Sequence, residues 1–182
     1  MNTAAWSLRS IRSTQKDRNR LATFKCANPS VPWQVEVEDF VQNQLFEWRY
    51  APLAQENDPR ILLMFNVATD ELVGVAAHER IILQANEVPF HASKLEVVAI
   101  ATDWQGQTFG TGQRASDVLM SGALTDIAAR VPARFARVVA TIHEDNERSI
   151  KVCLRHGFTD ELSRHEQLPE YRRLLTTHKN AP

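Results

Sequence analysis

Apolar residues in this chain fall into short blocks with different periods. Residues 6–13, "WSLRSIRS", alternate weakly and predict a first strand. Residues 14–30 are polar and irregular and predict no element. Ser30 before Val31-Pro32 marks a helix start, and Val37, Phe40, Val41, Leu45 and Trp48 then recur on one helical face. Pro52 and "AQENDPR" end that pattern. "RILLMFNV" (60–67) reads as a buried strand, "ATDE" (68–71) as a turn, and "LVGVAAHERIIL" (72–83) as a strand pairing back. "ANEVPFHAS" reads as a loop and "KLEVVAIA" (94–101) as a third strong strand. Ala115, Val118, Leu119, Ala123, Ile127, Ala128 and Val131 mark a helix face that Pro132 stops. "FARVVATI" (135–142) is strand-like. Asn146 to His156 predicts a short helix with Ile150, Cys153 and Leu154 inward, and Gly157 stands at its C-cap. "LPEYRRLLT" (168–176) predicts a last strand.

The unit from 94 to 142, strand–helix–strand, requires parallel pairing and a right-handed crossover. The meander before it requires antiparallel pairing. The expected fold is α/β (α+β): a mixed, mostly antiparallel central sheet with one parallel strand pair and helices on both faces. In such sheets ligands bind beyond the C-terminal ends of parallel strands.

Length and composition leave this picture intact. The 182 residues, 43% of them hydrophobic, suit one domain with one substantial core. A net charge of −1 gives no global field for nucleic acid, so DNA is not an expected partner. The cations are uneven, however: Arg9, Arg12, Lys16, Arg18, Arg20 and Lys25 face Asp17 alone within residues 1–25. That segment is either a solvated edge or a site for an anionic partner such as RNA. Cys26 and Cys153 have no metal or disulfide spacing. No apolar run approaches the ~20 residues of a membrane span. A cytoplasmic protein without metal or membrane partner is the expectation.

The candidate chemistry starts at "ATDWQGQTFGTGQRAS" (101–116), where strand passes to helix. Gly106, Gly110 and Gly112 permit turns in which successive amides converge. The following helix adds the partial positive charge of its N-terminus. Gln105, Gln107, Thr108 and Thr111 offer further donors. The loop suits a phosphate or pyrophosphate, but it is neither a Walker loop nor a dinucleotide fingerprint, because the required spacings are missing.

A second segment, "HEDNERSIKVCLRHGF" (143–158), places Asn at a helix start, a small residue three positions on, and Gly-Phe at the end. Together the two segments resemble the GNAT superfamily of acyl-CoA-dependent N-acetyltransferases over roughly residues 60–160. That family reads strand, Gln/Arg-x-x-Gly-x-Gly/Ala, helix, strand, then Asn-x-x-Ala-x-x-Leu-Tyr-x-x-x-Gly-Phe. Counted from the strand, the first motif starts at Gln105 with Thr108 in place of Gly. Counted from the helix, it starts at Gln107 with Gly110 and Gly112.

The resemblance implies a single domain: an acceptor-side part (1–59), a coenzyme core (60–160) and a C-terminal strand and tail (161–182). It implies acetyl-CoA as co-substrate, with its pyrophosphate on the amides from Gln107 through Thr108, Phe109, Gly110 and Thr111 to Gly112. The parallel pair would splay around the coenzyme. The pantetheine arm would pair with the backbone of Val98 and Ile100, and Asn146 would touch it. Asn146 also suits an N-cap.

Transfer to an amine requires a base, since an alkylammonium has a pKa near ~10. Glu96 lies on the strand leading to the acetyl site; Glu79 and His78, then His143, are alternatives. Strict alternation puts Leu95, Val97 and Ala99 on one face and Glu96, Val98 and Ile100 on the other. The family Tyr that protonates the leaving thiolate is here Cys153, a weak donor; Tyr171 is a remote substitute.

The expected function is direct acetyl transfer to a primary amine on a small molecule, a peptide or an aminoacyl-tRNA. The last option follows a loose likeness of "FKCANPSVPWQVEVEDFVQNQ" (24–44) to the toxin-type branch. A non-catalytic acyl-CoA-binding regulatory domain and a ligand-free interaction module are the rivals. Homodimers are common in the family.

Overall fold

The computed structural model describes residues 5–50, 54–85, 88–110, 112–130, 132, 135, 137–159 and 172–178. Six strands form one sheet in sequence order: β1 (Trp6–Ser10), β2 (Arg60–Asn66), β3 (Glu71–Ala85), β4 (Val88–Ile100), β5 (Arg137–His143) and β6 (Arg172–His178). All neighbours are antiparallel except β4 and β5. The sheet is therefore mixed and mostly antiparallel, as its pattern of runs and turns predicts.

The β2 run is apolar throughout because both of its faces are covered. Leu62 and Met64 join one core with Leu119, Ala123, Leu124 and Ile127 of helix α5 (Ala115–Arg130). Ile61, Leu63 and Phe65 join a second core with Leu21, Phe24, Val41 and Leu45 from the N-terminal helices. Gly74 lets α5 close on the sheet: a Cβ there would stand 3.0 Å from both Ile100 Cδ1 and Leu119 Cδ2.

Residues 14–30, which predict no element, contain helix α1 (Gln15–Ala22). Its apolar face is almost absent, so hydrophobic periodicity gives no signal. Thr14 caps it by accepting from the Asp17 amide, and Asp17 is buried as deeply as Leu21, each at 1% exposure. The helix predicted from Val31 is present as α2 (Pro32–Asp39), a π-turn (Phe40–Gln44) and α3 (Leu45–Trp48). A short α4 (Ala54–Asn57) follows.

The predicted loop 85–93 is corrected: β3 runs to Ala85 and β4 begins at Val88, giving a long hairpin. Pro89 sits near the strand start, where a missing N–H is tolerated, and Phe90 packs with Ile81, Leu83, Ala92 and Val139. Helix α6 (Glu147–Arg155) lies where expected, with Gly157 at φ +79° after it. Leu154, expected inward, is 51% exposed; Ile150 and Cys153 alone of the predicted trio are buried. In the last predicted strand, residues 168–171 lie outside the described residues.

Candidate functional site

The site begins where β4 and β5 stop pairing. Their parallel register is Ser93↔Val138, Lys94↔Val139 and Leu95↔Ala140, and no further. On its other side β4 loses register with β3 at the same level, since Ala77 pairs with Val97 but His78 with Leu95. Glu96 is thus the extra residue of a bulge, which bends and twists its strand. The bulge corrects the simple alternation. Leu95, Val98 and Ile100 pack toward the α5 core, whereas Val97 and Ala99 pack toward the N-terminal helices.

Past the bulge the backbone of β4 is open on one side. Ala101 N–H donates to the Val73 carbonyl at 2.8 Å, which fixes the phase of the ladder. Ala99 and Ala101 then direct their backbone groups at β3, and Val98 and Ile100 direct theirs into the gap. Part of the Ile100 edge is occupied, because Gln105 Nε2 donates to its carbonyl at 3.1 Å.

The gap opens into a cleft of about 1210 Å³. Glu96, Val98, Ile100 and Met120 line it from the sheet and α5, His143, Asn146, Arg148 and Cys153 from β5 and α6, and Trp33, Glu36 and Phe40 from the α2 side. Trp33 stacks on His143, with ring centroids 5.5 Å apart and planes 19° from parallel. The first-half helices therefore form one wall of the cleft. Sequence periodicity marks Phe40 only as a core position, and Trp33 precedes the periodic face, so neither is identifiable as a wall residue beforehand. The π-turn that starts at Phe40 is the one visible irregularity of that wall, and such turns recur at functional sites.

The Gly-rich loop meets the cleft at its two ends. Gly106, Gln107, Arg114 and Ser116 line the cleft, but Thr108, Phe109, Gly110 and Gly112 do not. Residues 108–110 and 112–114 form a closed excursion: Thr108 bridges Arg114, Phe109 N–H donates to Gln113 O at 2.8 Å, and Gly112 N–H donates to Phe109 O at 2.7 Å. The Phe109 ring is buried beside Trp104. Thr111 lies outside the described residues. Gln107 N–H donates to Trp104 O at 3.2 Å, and its side chain donates to Asp103 O at 3.2 Å. Gln105 braces the loop, donating to Cys26 O at 2.8 Å while accepting from Arg148 at 3.3 Å. The two glutamine side chains thus spend donors inside the protein, and the cations Arg114 and Arg148 stand at the cleft in their place.

Asn146 caps α6, accepting from Ser149 N–H at 3.1 Å, and borders the cleft as well. His143 Nδ1 accepts from Asp145 N–H at 3.2 Å, so a neutral ring carries its proton on Nε2. Burial pushes the Cys153 thiol up to about 12, which makes it a poorer donor than an ordinary thiol. Tyr171 lies outside the described residues.

Of the base candidates on β3 and β4, His78 stands apart from Glu79 and Glu96. His78 is buried on the α5 side, its Nε2 3.0 Å from Asp126 Oδ2. Glu79 points the other way and accepts from Asn57 Nδ2 at 3.3 Å. Glu96 reaches Lys94 Nζ at 2.7 Å and lines the cleft. Among the described residues no group of three or more His, Cys, Asp or Glu could hold a metal ion, and no helix is long and apolar enough to cross a membrane.

No protein-family model matches the chain, and no curated relative matches it. Solved structures do. An acetyltransferase of the GNAT family from Streptococcus pneumoniae superposes with a TM-score of 0.55 at 16% identity, covering 97% of this chain and 100% of that one. A mutant of the toxin AtaT, bound to the C-terminus of the antitoxin AtaR and acetyl-CoA, gives 0.63 at 13%, covering 95% and 92%. Arabidopsis thaliana NAA60, in complex with a bisubstrate analogue, gives 0.61 at 11%, covering 98% and 100%. Identities this low speak for architecture, and the splayed parallel pair agrees with it: the chain has the fold of the GNAT acetyltransferases.

Proposed function

We propose that the protein transfers an acetyl group from acetyl-CoA to a primary amine by direct attack in a ternary complex. The observation that carries this reading is the gap itself: Val98 and Ile100 turn backbone groups into it immediately beyond a carboxylate, Glu96, at the bulge. In this reading the coenzyme arm runs along that open edge past Asn146. Arg114, Arg148 and the N-terminus of α5 hold its phosphates by charge and dipole. Glu96 takes a proton from the acceptor ammonium. The freed nitrogen attacks the thioester carbonyl, the C–N bond forms, the C–S bond breaks with its electron pair leaving on the thiolate, and the second N–H proton passes to that thiolate, giving the amide and the free thiol. A backbone N–H at the gap faces the developing oxyanion.

The acceptor enters between Trp33, Phe40 and Glu36, a wall with aromatic faces and a carboxylate that suits an alkylammonium. A small-molecule or peptide amine fits this wall better than charged tRNA, because five of the six N-terminal cations are already paired. Lys16 and Arg20 meet Asp70, Arg18 meets Glu47, Lys25 meets Glu38, and Arg9 meets Asp17.

Titration calorimetry with acetyl-CoA tests the reading first, and no heat of binding would overturn it. Transfer of label from acetyl-CoA to a panel of small amines, peptides and aminoacylated tRNA, with uncharged tRNA as control, then identifies the acceptor. A second reading, an acyl-CoA-binding domain without turnover, is favoured by the poor donor at Cys153. It predicts binding heat with no transfer to any member of the panel.

A further inference from the structure

Glu79 has no part in the scheme above, yet it is built into the same corner. In the β3–β4 register it lies directly opposite Lys94, so the two side chains share a face. Lys94 in turn holds Glu96, whose side chain is 15% exposed. Glu79 and Glu96 thus flank one lysine, close enough for each charge to act on the other, and Glu79 accepts from Asn57 Nδ2 at 3.3 Å. Two such carboxyl groups can share a hydrogen bond only if one of them keeps a proton.

Among the described residues, α4 adds Glu56, which is exposed, and the other packed elements carry the following charges. Lys94 is the cation from β4. Arg60 of β2 and Arg80 of β3 are both engaged by Asp58, at 2.7 and 3.2 Å. His78 turns to the opposite face and Asp126. Glu36 of α2 lines the cleft with Glu96. Among the described residues one cation, Lys94, therefore serves two carboxyl groups.

We propose that Glu79 is a positioning residue that holds one proton jointly with Glu96, so that the pair, not Glu96 alone, takes the proton of the incoming ammonium. This rests on the acetyltransferase reading. The balance is simple: the dianionic pair accepts one proton from R–NH3+ and becomes the monoanion, and R–NH2 is released for attack. The bulge places Glu96 at the cleft and leaves Glu79 behind it, so Glu96 touches substrate and Glu79 acts through it. Burial first, and the Glu96 charge second, raise Glu79 to about 7, which matches a base that arms near neutrality.

Carboxyl carbon-13 NMR of the full chain labelled at glutamate, titrated from pH 3 to 9, tests this without any acceptor. Glu79→Gln and Glu96→Gln assign the two signals. The expected result is a Glu79 step near pH 7 that the Glu96 signal also reports, and that disappears from the Glu96 signal in Glu79→Gln. Independent titration of both carboxyls in the ordinary range would overturn the proposal, as would a Glu96 signal indifferent to Glu79→Gln. Should Glu79→Gln unfold, the wild type still decides, and Glu96→Gln must lower the Glu79 midpoint. Acetyl-CoA calorimetry on the same sample separates the two failures: a shared step without binding heat overturns the acetyltransferase reading and the base role together, whereas binding heat without a shared step overturns the pair alone.

Discussion

On the α5 side of the sheet the buried side chains are Leu119, Leu124, Ile127, Val138 and Ile142. On the α1 side Leu21 is buried beside Asp17, and Phe65 lies between the guanidinium groups of Arg9 and Arg20, 4.7 and 4.5 Å from its centroid. The first face is held by hydrophobic burial. The second is held partly by a carboxylate that receives Arg9 at 2.8 and 2.6 Å, the Arg12 amide at 2.9 Å and Arg20 at 3.3 Å. The two faces also divide the cleft. The apolar one carries the open edge of β4 and the helices α5 and α6; the ionic one carries Trp33, Glu36 and Phe40. A rigid apolar frame suits an invariant coenzyme, and a wall held by exchangeable contacts suits a variable acceptor.

The sharpest way to break this comparison is to remove the ionic hub. Asp17→Ala leaves Arg9 without its counter-charge and Arg20 with Asp70 alone, and about 3 kcal/mol of stability is expected to go. Urea unfolding measures it, and a loss under ~1 kcal/mol would show that the α1 side is held by its apolar contacts after all. The same hub predicts an acid dependence. Hydrogen bonding from Arg9, chiefly, holds the Asp17 carboxyl down at about 2. A lowered carboxylate stabilises above its unfolded value near 3.8 and loses that contribution as pH falls toward 2. The wild type is expected to lose about 2 kcal/mol across that window from this group, and Asp17→Asn to lose correspondingly less. Equal losses in both proteins would remove the hub from the account.

The same contrast explains what was legible in the sequence. The β2–β3–β4 meander, α5, β5 and α6 declare themselves because burial imposes period on apolar residues. The α1 helix does not, because a buried Asp between two Arg leaves no apolar stripe. Glu96 and Asn146 come from motif and strand position, and both border the cleft. The orientation around Glu96 was not legible, since a bulge adds one residue without any signature in "KLEVVAIA". The conformation of the Gly-rich loop was not legible either. Gly112 adopts φ +77° to close an excursion that Phe109 anchors in the core, and Arg114 and Ser116 are what the cleft meets. Trp33 and Glu36 carried no periodic signal: Trp33 meets His143 of β5 only when the chain folds across the sheet, and Glu36 lines the same cleft.

The loop gives the next test. Arg114→Ala is expected to weaken acetyl-CoA about tenfold, the loss of one charge-assisted contact. Thr108→Ala, in the excursion, is expected to change it less than twofold. Calorimetry on both variants decides. A larger effect from Thr108 than from Arg114 would restore the span from Gln107 to Gly112 as the phosphate cradle.

The smallest effect concerns Asn146, where capping and ligand contact compete for one side chain. Its Oδ1 already accepts from Ser149 N–H, which leaves the side-chain amide group as the part directed elsewhere. Asn146→Ala removes both functions and is expected to cost about 1 kcal/mol of stability. Asn146→Asp keeps the capping oxygen and places a negative charge at the helix N-terminus, where the dipole favours it. Stability should therefore survive in Asp. If Asn146 also donates to the coenzyme arm, acetyl-CoA affinity should fall in both variants, because neither retains the amide donor. Loss of affinity in Ala with full retention in Asp would reduce Asn146 to a cap, and the gap between β4 and β5 would then hold the arm through the backbone of β4 alone.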